Sequence, residues 1–372
     1  MKKWRRFLAP LLCAAILMGT MAGCNSGTDP AGGGSNTNGQ GDGKQEIVVY
    51  NWGEYISDGA DGSLDVIKQF EKETGIKVNY QMFASNEEMY AKLKSGATGY
   101  DVIIPSDYMI ARMIEEDMLQ KLDFANIPNY QYIMDDFKDG KLDFDPKNEY
   151  SVPYTWGTVG IIYNKTMVKE PVDSWNILWS EKYKDNILMF NNSRDAFGIA
   201  EKKLGFSQNT TNTDELNKAA EELKKQKPVV QAYVMDEIFD KMQNGEAALA
   251  PYYAGDAITM MNENPDLAFA IPKEGTNRFV DSMVVPKDSK NKALAEKFID
   301  FMCRKDIAKA NAEYIGYSTP QKQTMEELDP ELKNNKIAYP DEATLANCES
   351  FKNLPQQALK LMEDRWLEIK TK

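Results

Sequence analysis

Residues 46–104 read EIVVYNWGEYISDGADGSLDVIKQFEKETGIKVNYQMFASNEEMYAKLKSGATGYDVII, and the spacing of their apolar side chains decides the fold class. Residues 46–50 form a short β-rich run. Leu64, Ile67, Phe70 and Glu71 then mark one face of a helix that stops at Thr74-Gly75, because glycine takes the left-handed conformation that ends helices at little cost. Residues 76–80 make a second strand. Ser85 with Glu88 is a capping box, in which side chains satisfy the free N–H groups of a helix start, and that helix runs to Leu93. Residues 101–104 are a third strand. This β-α-β-α-β order predicts an α/β fold with a mostly parallel sheet covered on both faces. The alternation continues with strands near 160–163, 187–190, 247–250, 269–271 and 283–285.

Sheets of this kind bind ligands beyond the carboxyl ends of their strands, so the residues that follow each strand are candidates. Asn51-Trp52-Gly53-Glu54-Tyr55 follow the first strand and Pro105-Ser106-Asp107-Tyr108 the third. Asn191-Asn192-Ser193-Arg194-Asp195 follow the strand ending at Phe190, and Tyr252-Tyr253-Ala254-Gly255-Asp256 the one ending near Ala250. Phe279 and Asp281 stand just before Met283. Aromatic and acidic side chains thus recur wherever a site would form. A linear aliphatic diamine or triamine matches that mixture: its ammonium groups need separated anions, and the methylenes between them need flat apolar walls. Ring faces also attract the cations directly, by about 0.5 to 2 kcal/mol each. Each residue alone has a plainer explanation. Trp52 can cap a core, Ser106 and Asp256 can cap helices, Asp281 can pair with a lysine, and Glu54 can be a solvated acid; Trp156, Trp175 and Trp179 are assigned to packing.

Composition removes other functions. The chain has 372 residues, 57 Asp+Glu against 44 Lys+Arg, four Cys and no His. Without histidine there is no Ser-His-Asp or Cys-His catalysis and no His-ligated zinc or haem, so neither a metal nor a cofactor is expected. A net charge of −13 argues against nucleic acid and points to neutral or cationic partners. At the N-terminus, Lys2, Lys3, Arg5 and Arg6 precede an apolar run from Phe7 to Met18, and Met21-Ala22-Gly23-Cys24 closes it. Residues 1–23 are therefore read as a signal peptide, too short and wrongly flanked to span a membrane. The last four of these residues resemble a bacterial lipobox, with Met21 where leucine is usual. That resemblance implies cleavage before Cys24 and lipidation of it, and several acyl chains on one residue anchor stably. Residues 24–45 offer no large apolar side chain and are expected to tether the folded part to the cell membrane, outside the cytoplasm. The rest is long enough for two cores of roughly 150 residues each. Cys303 and Cys348 remain there, either as a disulfide or as two buried thiols.

In colinear order, NWGEYI (51–56), SNEEMYAKLKSGATGYDVIIPSDY (85–108), YSVPYTWGTVGIIYN (150–164), SWNILWSEKYKDNI (174–187), NNSRDAFG (191–198) and IGYSTPQ (315–321) resemble bacterial spermidine/putrescine-binding proteins, the solute receptors of polyamine ABC importers. The resemblance covers nearly all of residues 46–360. It implies a type II periplasmic-binding-protein fold: two α/β domains, a hinge of crossing segments, and a ligand cleft between them. Lobe 1 would take 46–154 plus about 255–302, and lobe 2 about 155–254 plus 303–372. The function implied is capture of putrescine or spermidine by a monomer, without catalysis, for delivery to ABC permease subunits. Carried over residue by residue, the ligand contacts implied are Trp52, Glu54 and Tyr55, Ser106 and Tyr108, Asp195, Tyr253 and Asp256, Phe279 and Asp281, with Tyr317 and Gln321 from the last motif. Three positions depart from the pattern: Gly53 where a hydroxyl is frequent, Asn192 where some spermidine binders carry Asp, and Tyr253 where Trp is common. Losing one carboxylate favours a diamine over a triamine.

Two other readings use the same residues. Adjacent Tyr252-Tyr253 resembles the paired tyrosinates with which ferric-binding receptors hold Fe3+, an ion that oxygen ligands suit. A glycoside hydrolase using two carboxylates also needs no histidine. Neither accounts for rings distributed across both halves of the chain.

Overall fold

The computed structural model describes residues 45–371, so the expectations for the leader, for Cys24 and for nearly all of the tether fall outside the described residues. Strand β1 (Glu46–Trp52) lies between β2 (Lys77–Phe83) and β3 (Val102–Ile103) and runs parallel to both. Helix α1 (Val66–Thr74) opens where Asp65 accepts the Lys68 N–H at 2.9 Å and closes on left-handed Gly75 (φ 74°). It buries Val66 and Phe70, the latter ring edge-on to Phe298 at 5.1 Å. Ser85 accepts the Glu88 N–H at 3.1 Å to start α2 (Asn86–Lys94), as the capping box required. After β3 comes α3 (Asp107–Glu115).

The centre of the molecule is β4 (Ser151–Asn164), a long strand buried almost throughout. Beyond it come β5 (Ile187–Phe190), α4 (Ser193–Lys203), α5 (Thr213–Gln226), β6 (Val230–Val234), α6 (Ile238–Gln243), β7 (Leu249–Tyr253) and α7 (Ala254–Glu263). Then follow β8 (Leu267–Ala270), β9 (Arg278–Val284), α8 (Lys292–Met302), α9 (Lys305–Ile315), α10 (Lys322–Glu327) and a C-terminal helix, Gln356–Thr371. The strand order is β2-β1-β3-β9-β4-β7-β5-β6, with β8 also on β4.

A mostly parallel sheet is not what forms. The first half of β4 pairs antiparallel with β9, its second half antiparallel with β7 and β8, and β9 is antiparallel to β3. One continuous strand thus carries the chain from one layer to the other. Pro153, Gly157 and Gly160 punctuate β4 like a loop, which hides its first half in the sequence. Gly160 is needed there, because a Cβ would lie 2.3 Å from the Phe269 ring and 2.6 Å from the Ala270 carbonyl oxygen.

Helix α7 follows β7 directly, with Tyr253 as its N-cap residue, so it cannot leave that layer and lies on β4 and β8. Helix α9 packs on α10, α7, α1 and α8, and the C-terminal helix packs on α4 and α5. The tryptophans behave as packing residues: Trp175 is fully buried with its N–H on the Gly275 carbonyl oxygen at 2.9 Å, and Trp179 donates to the Glu222 carbonyl oxygen at 2.8 Å. Trp156 is buried in β4 beneath the Arg278 guanidinium, 5.0 Å from the ring. Cys303 and Cys348 are free thiols, and burial pushes the Cys303 thiol well above its ordinary range.

Candidate ligand-binding site

The two layers face each other across a cleft of ≈ 640 Å³, open solvent at its mouth included. Its walls come from the ends of β1, β3, β5 and β7, from the middle of β9, and from the first turns of the helices that follow. Among the described residues, five carboxylates line it, Glu87, Asp195, Asp236, Asp256 and Asp281, and no lysine or arginine does. Eight aromatic rings stand among them.

Asp281 sits in mid-strand on β9, where alternation points Phe279 and Asp281 into the cleft and Val280 away from it. The Tyr55 hydroxyl donates to Asp281 Oδ2 at 2.6 Å and is itself paired with Thr155 Oγ1. Asp281 Oδ1 is buried with no hydrogen-bond partner, and so is the Asn277 side-chain oxygen in the same cleft. Burial pushes the Asp281 carboxyl up to about 6, against the pull of its Tyr55 and Ser106 neighbours. A buried acceptor left empty costs free energy that a donor from outside can recover.

On the facing wall, Asp195 lies in the first turn of α4, whose N-cap residue Asn192 accepts the Asp195 N–H at 2.8 Å. Asp195 Oδ2 receives Asn192 Nδ2 at 2.8 Å and the Tyr253 hydroxyl at 2.9 Å. Burial raises its carboxyl, and those two bonds together with the charge of Arg194 oppose the rise. Asp256, nine-tenths buried in the first turn of α7, is raised furthest by burial; the Tyr317 phenol opposes, and the charges of Asp236, Glu54 and Asp281 add to it. Glu87 accepts from the Tyr108 hydroxyl at 2.8 Å. Every carboxyl lining the cleft is thus held above its ordinary range, chiefly by burial. A cation between them would reverse that.

The rings are fixed in place. Trp52 donates its N–H to the Ile104 carbonyl oxygen at 2.8 Å and lies 4.6 Å from Phe83. Tyr317 is edge-on to Tyr55 at 4.8 Å, and Phe279 is edge-on to Tyr253 at 5.6 Å. Ser106 stands at the N-cap position of α3 but makes no capping bond; its hydroxyl instead receives Asn86 Nδ2 at 3.1 Å. Asn86 also donates to Tyr108 Oη at 3.1 Å, so one amide holds both Ser106 and Tyr108 at the cleft.

Trp52, Tyr55, Ser106, Tyr108, Asp195, Tyr253, Asp256, Phe279, Asp281 and Tyr317 are brought together here. Two expected residues are not. Glu54 is exposed at the rim, because the chain turns through a left-handed conformation at that residue (φ 49°) and carries the carboxylate outside the lining. Gln321 is consumed elsewhere: its Oε1 caps α10 by accepting the Thr324 N–H at 2.6 Å, and its Nε2 donates to the Cys303 carbonyl oxygen at 3.3 Å. Sequence reasoning missed Glu87, Asp236 and Phe351. Glu87 follows β2, whose end was placed three residues early, and Asp236 follows β6, which was not recognised; Phe351 comes from a coil with no strand to flag it. The Tyr252-Tyr253 pair does not offer two free phenolates. Tyr253 bonds Asp195, Tyr252 approaches Asp236 Oδ1 at 3.4 Å, and burial raises both phenols well above their usual range.

Comparison with known proteins places this arrangement. Residues 65–340 match the profile of the bacterial extracellular solute-binding protein family. The spermidine/putrescine-binding periplasmic protein of Salmonella typhimurium is 37% identical over 372 residues, covering 100% of this chain and 99% of its own. Among solved structures, a Listeria monocytogenes protein assigned to spermidine/putrescine ABC transport superposes with TM-score 0.83 at 42% identity, over 88% of this chain and 99% of that one. The TpPotD lipoprotein of Treponema pallidum gives TM-score 0.76 at 28% identity, over 87% and 99%. The fold is the type II periplasmic-binding-protein fold, and the chain belongs to the bacterial extracellular solute-binding proteins.

Proposed function

We propose that this protein captures linear polyamines, putrescine or spermidine, outside the cytoplasm and hands them to the permease of an ABC importer. The observation that carries the reading is the cleft itself: five carboxylates, eight rings and, among the described residues, no lining cation. Only a slender polycation satisfies all of these at once, with each ammonium between acids and each methylene run against a ring. Trp52, Tyr55, Ser106, Tyr108, Asp195, Tyr253, Asp256, Phe279, Asp281 and Tyr317 are the contacts proposed. Capture needs no bond making, and the protein is read as a binding protein without enzymatic activity. The names of its relatives support the same ligand class.

The two layers act as lobes hinged where β4 crosses between them, and an amine bridging acids of both favours closure. Cys24 carries the lipid in this reading, the segment to residue 45 is the tether, and a monomer docks on the permease; the naming of TpPotD as a lipoprotein supports the anchor. Titration calorimetry with putrescine, spermidine and a dicarboxylate of similar length tests the proposal. Saturable binding of the amines alone is expected. Failure of both amines, or a visible tyrosinate band with Fe3+ in their place, would overturn it.

A further inference from the structure

Strand β9 has two faces, and only one of them belongs to the cleft. Phe279 and Asp281 line the cleft, whereas Arg278 and Val280 line a second, larger groove of ≈ 1330 Å³, open solvent included. Its other walls are the first half of α3, at Asp107 and Ala111, the stretch 136–146 ahead of β4, and the coil 350–353 ahead of the C-terminal helix.

The floor of this groove is apolar, with Phe137, Leu142, Phe144 and Val280. Arg278 is fixed above it. Its N–H donates to the Glu349 carbonyl oxygen at 3.0 Å, its carbonyl oxygen receives the Ser350 hydroxyl at 2.8 Å, and its guanidinium lies 5.0 Å from the Trp156 ring and 5.8 Å from the Phe137 ring. The rings cover a face of the guanidinium and leave its donor edge, where Nε is buried with no hydrogen-bond partner among the described residues. Such an edge binds a carboxylate through two parallel bonds. Lys141 and Lys352 stand exposed at the rim, with Asp136 and Asp143. The buried acid of the lining, Asp107, accepts the N–H groups of Tyr108 at 2.7 Å and Val280 at 3.2 Å. Burial pushes its carboxyl up to about 8, so at pH 7 it is largely uncharged and does not repel an anion.

We propose that this groove is a second ligand site, for a small carboxylate with a flat apolar body, seated with its carboxylate on Arg278 and its ring on the Phe137 and Phe144 floor, and that its occupant strengthens polyamine binding. The coupling has a short path. Arg278 and Asp281 stand on one strand about 10 Å apart, at roughly 3.3 Å per residue, so an anion held on one face attracts an ammonium held on the other. Phe351 lines both spaces, so a ligand that fixes this ring from the groove also fixes a wall of the cleft. Only the coupling rests on the polyamine reading.

The test uses benzoate, titrated calorimetrically into the full chain at pH 7 with and without saturating putrescine. Saturable binding without polyamine is expected, tightened about fivefold by putrescine, and benzoate should tighten putrescine by the same factor, because linkage is reciprocal. Acetate, which lacks the ring, should bind at least about tenfold more weakly. Arg278→Gln should weaken benzoate about tenfold or more while leaving putrescine alone within about twofold. Lys352→Ala, which alters an exposed side chain, should weaken benzoate about twofold. Absence of saturable benzoate binding, an affinity unchanged in both variants, or competition between benzoate and putrescine would overturn the second site. Independent binding of the two would overturn the coupling. Failure of putrescine to bind would overturn the polyamine reading and the coupling with it, while the benzoate titration would still decide the site.

Discussion

Asp281 and Asp195 look alike in the sequence and in outline: each is a buried carboxylate bonded to a tyrosine hydroxyl on its own wall of the cleft. They differ in what is left over. Asp195 Oδ2 takes two donors, and the carboxylate sits in the first turn of α4, where the helix dipole favours negative charge. Asp281 is on a strand without that support, and its Oδ1 has no partner. One acid is largely paid for by the protein and the other waits for the ligand. Binding free energy should therefore concentrate at Asp281.

The largest effect expected follows directly. Asp281→Ala should weaken polyamine binding by on the order of 3 to 5 kcal/mol, a loss of more than about 100-fold by calorimetry, because it leaves a desolvated ammonium without its anion. The ligand-free protein should not suffer in proportion. Asp281→Asn, which keeps the shape, should raise the melting temperature of the ligand-free form at pH 8 by removing a buried charge. Equal losses in Asp281→Ala and Asp195→Ala would break the comparison.

The same contrast sets a pH dependence. The Asp281 carboxyl is raised to about 6 in the ligand-free fold from 3.8, so the folded state holds that proton more tightly than the unfolded chain does. Its contribution to ligand-free stability is therefore fully present below 3.8 and is lost as pH rises through about 6. An ammonium needs the ionised form, so affinity should fall by up to about tenfold per pH unit below 6. Thermal shifts induced by spermidine should accordingly grow between pH 4.5 and pH 7. A shift that is flat across that range would remove Asp281 as the titrating contact.

Asp195→Asn should cost less, on the order of 1.5 kcal/mol or about tenfold, since the amide retains the Tyr253 bond and the ammonium keeps Glu87 nearby. Calorimetry with one polyamine on both variants ranks the two walls. A larger loss at Asp195 than at Asp281 would invert the assignment.

These two acids also mark what sequence can and cannot reveal. Asp195 was legible because it follows a short apolar strand, residues 187–190, whose bounds the structure repeats, and because α4 starts immediately after it. Asp281 was legible as a residue but not as part of a strand, since β9 begins five residues earlier than its apolar end, Met283 to Val285, announces. The α/β class and the two early caps came from local chemistry, which the fold left intact. Strand direction did not: β4 and β9 are defined by pairings across more than 100 residues, and nothing local in YSVPYTWG encodes a partner. Asp236 and Phe351 stayed hidden for the same reason, because their place at the cleft depends on which layer their strand or coil joins.

The smallest effect expected on affinity belongs to Gln321, and it separates a motif residue from a ligand residue. Its position after Thr-Pro resembles a binding position, yet both ends of its amide are occupied, one by the Thr324 N–H and the other by the Cys303 carbonyl oxygen. It lines a separate small cavity with Tyr154, Thr155, Cys303 and Asn311, none of which belongs to the lining of the acidic cleft. Gln321→Ala should therefore leave polyamine affinity within about twofold while lowering stability by about 1 kcal/mol through loss of the α10 cap, read as a fall in the urea midpoint. Weakened binding at unchanged stability would show that the side chain reaches the ligand in a closed form.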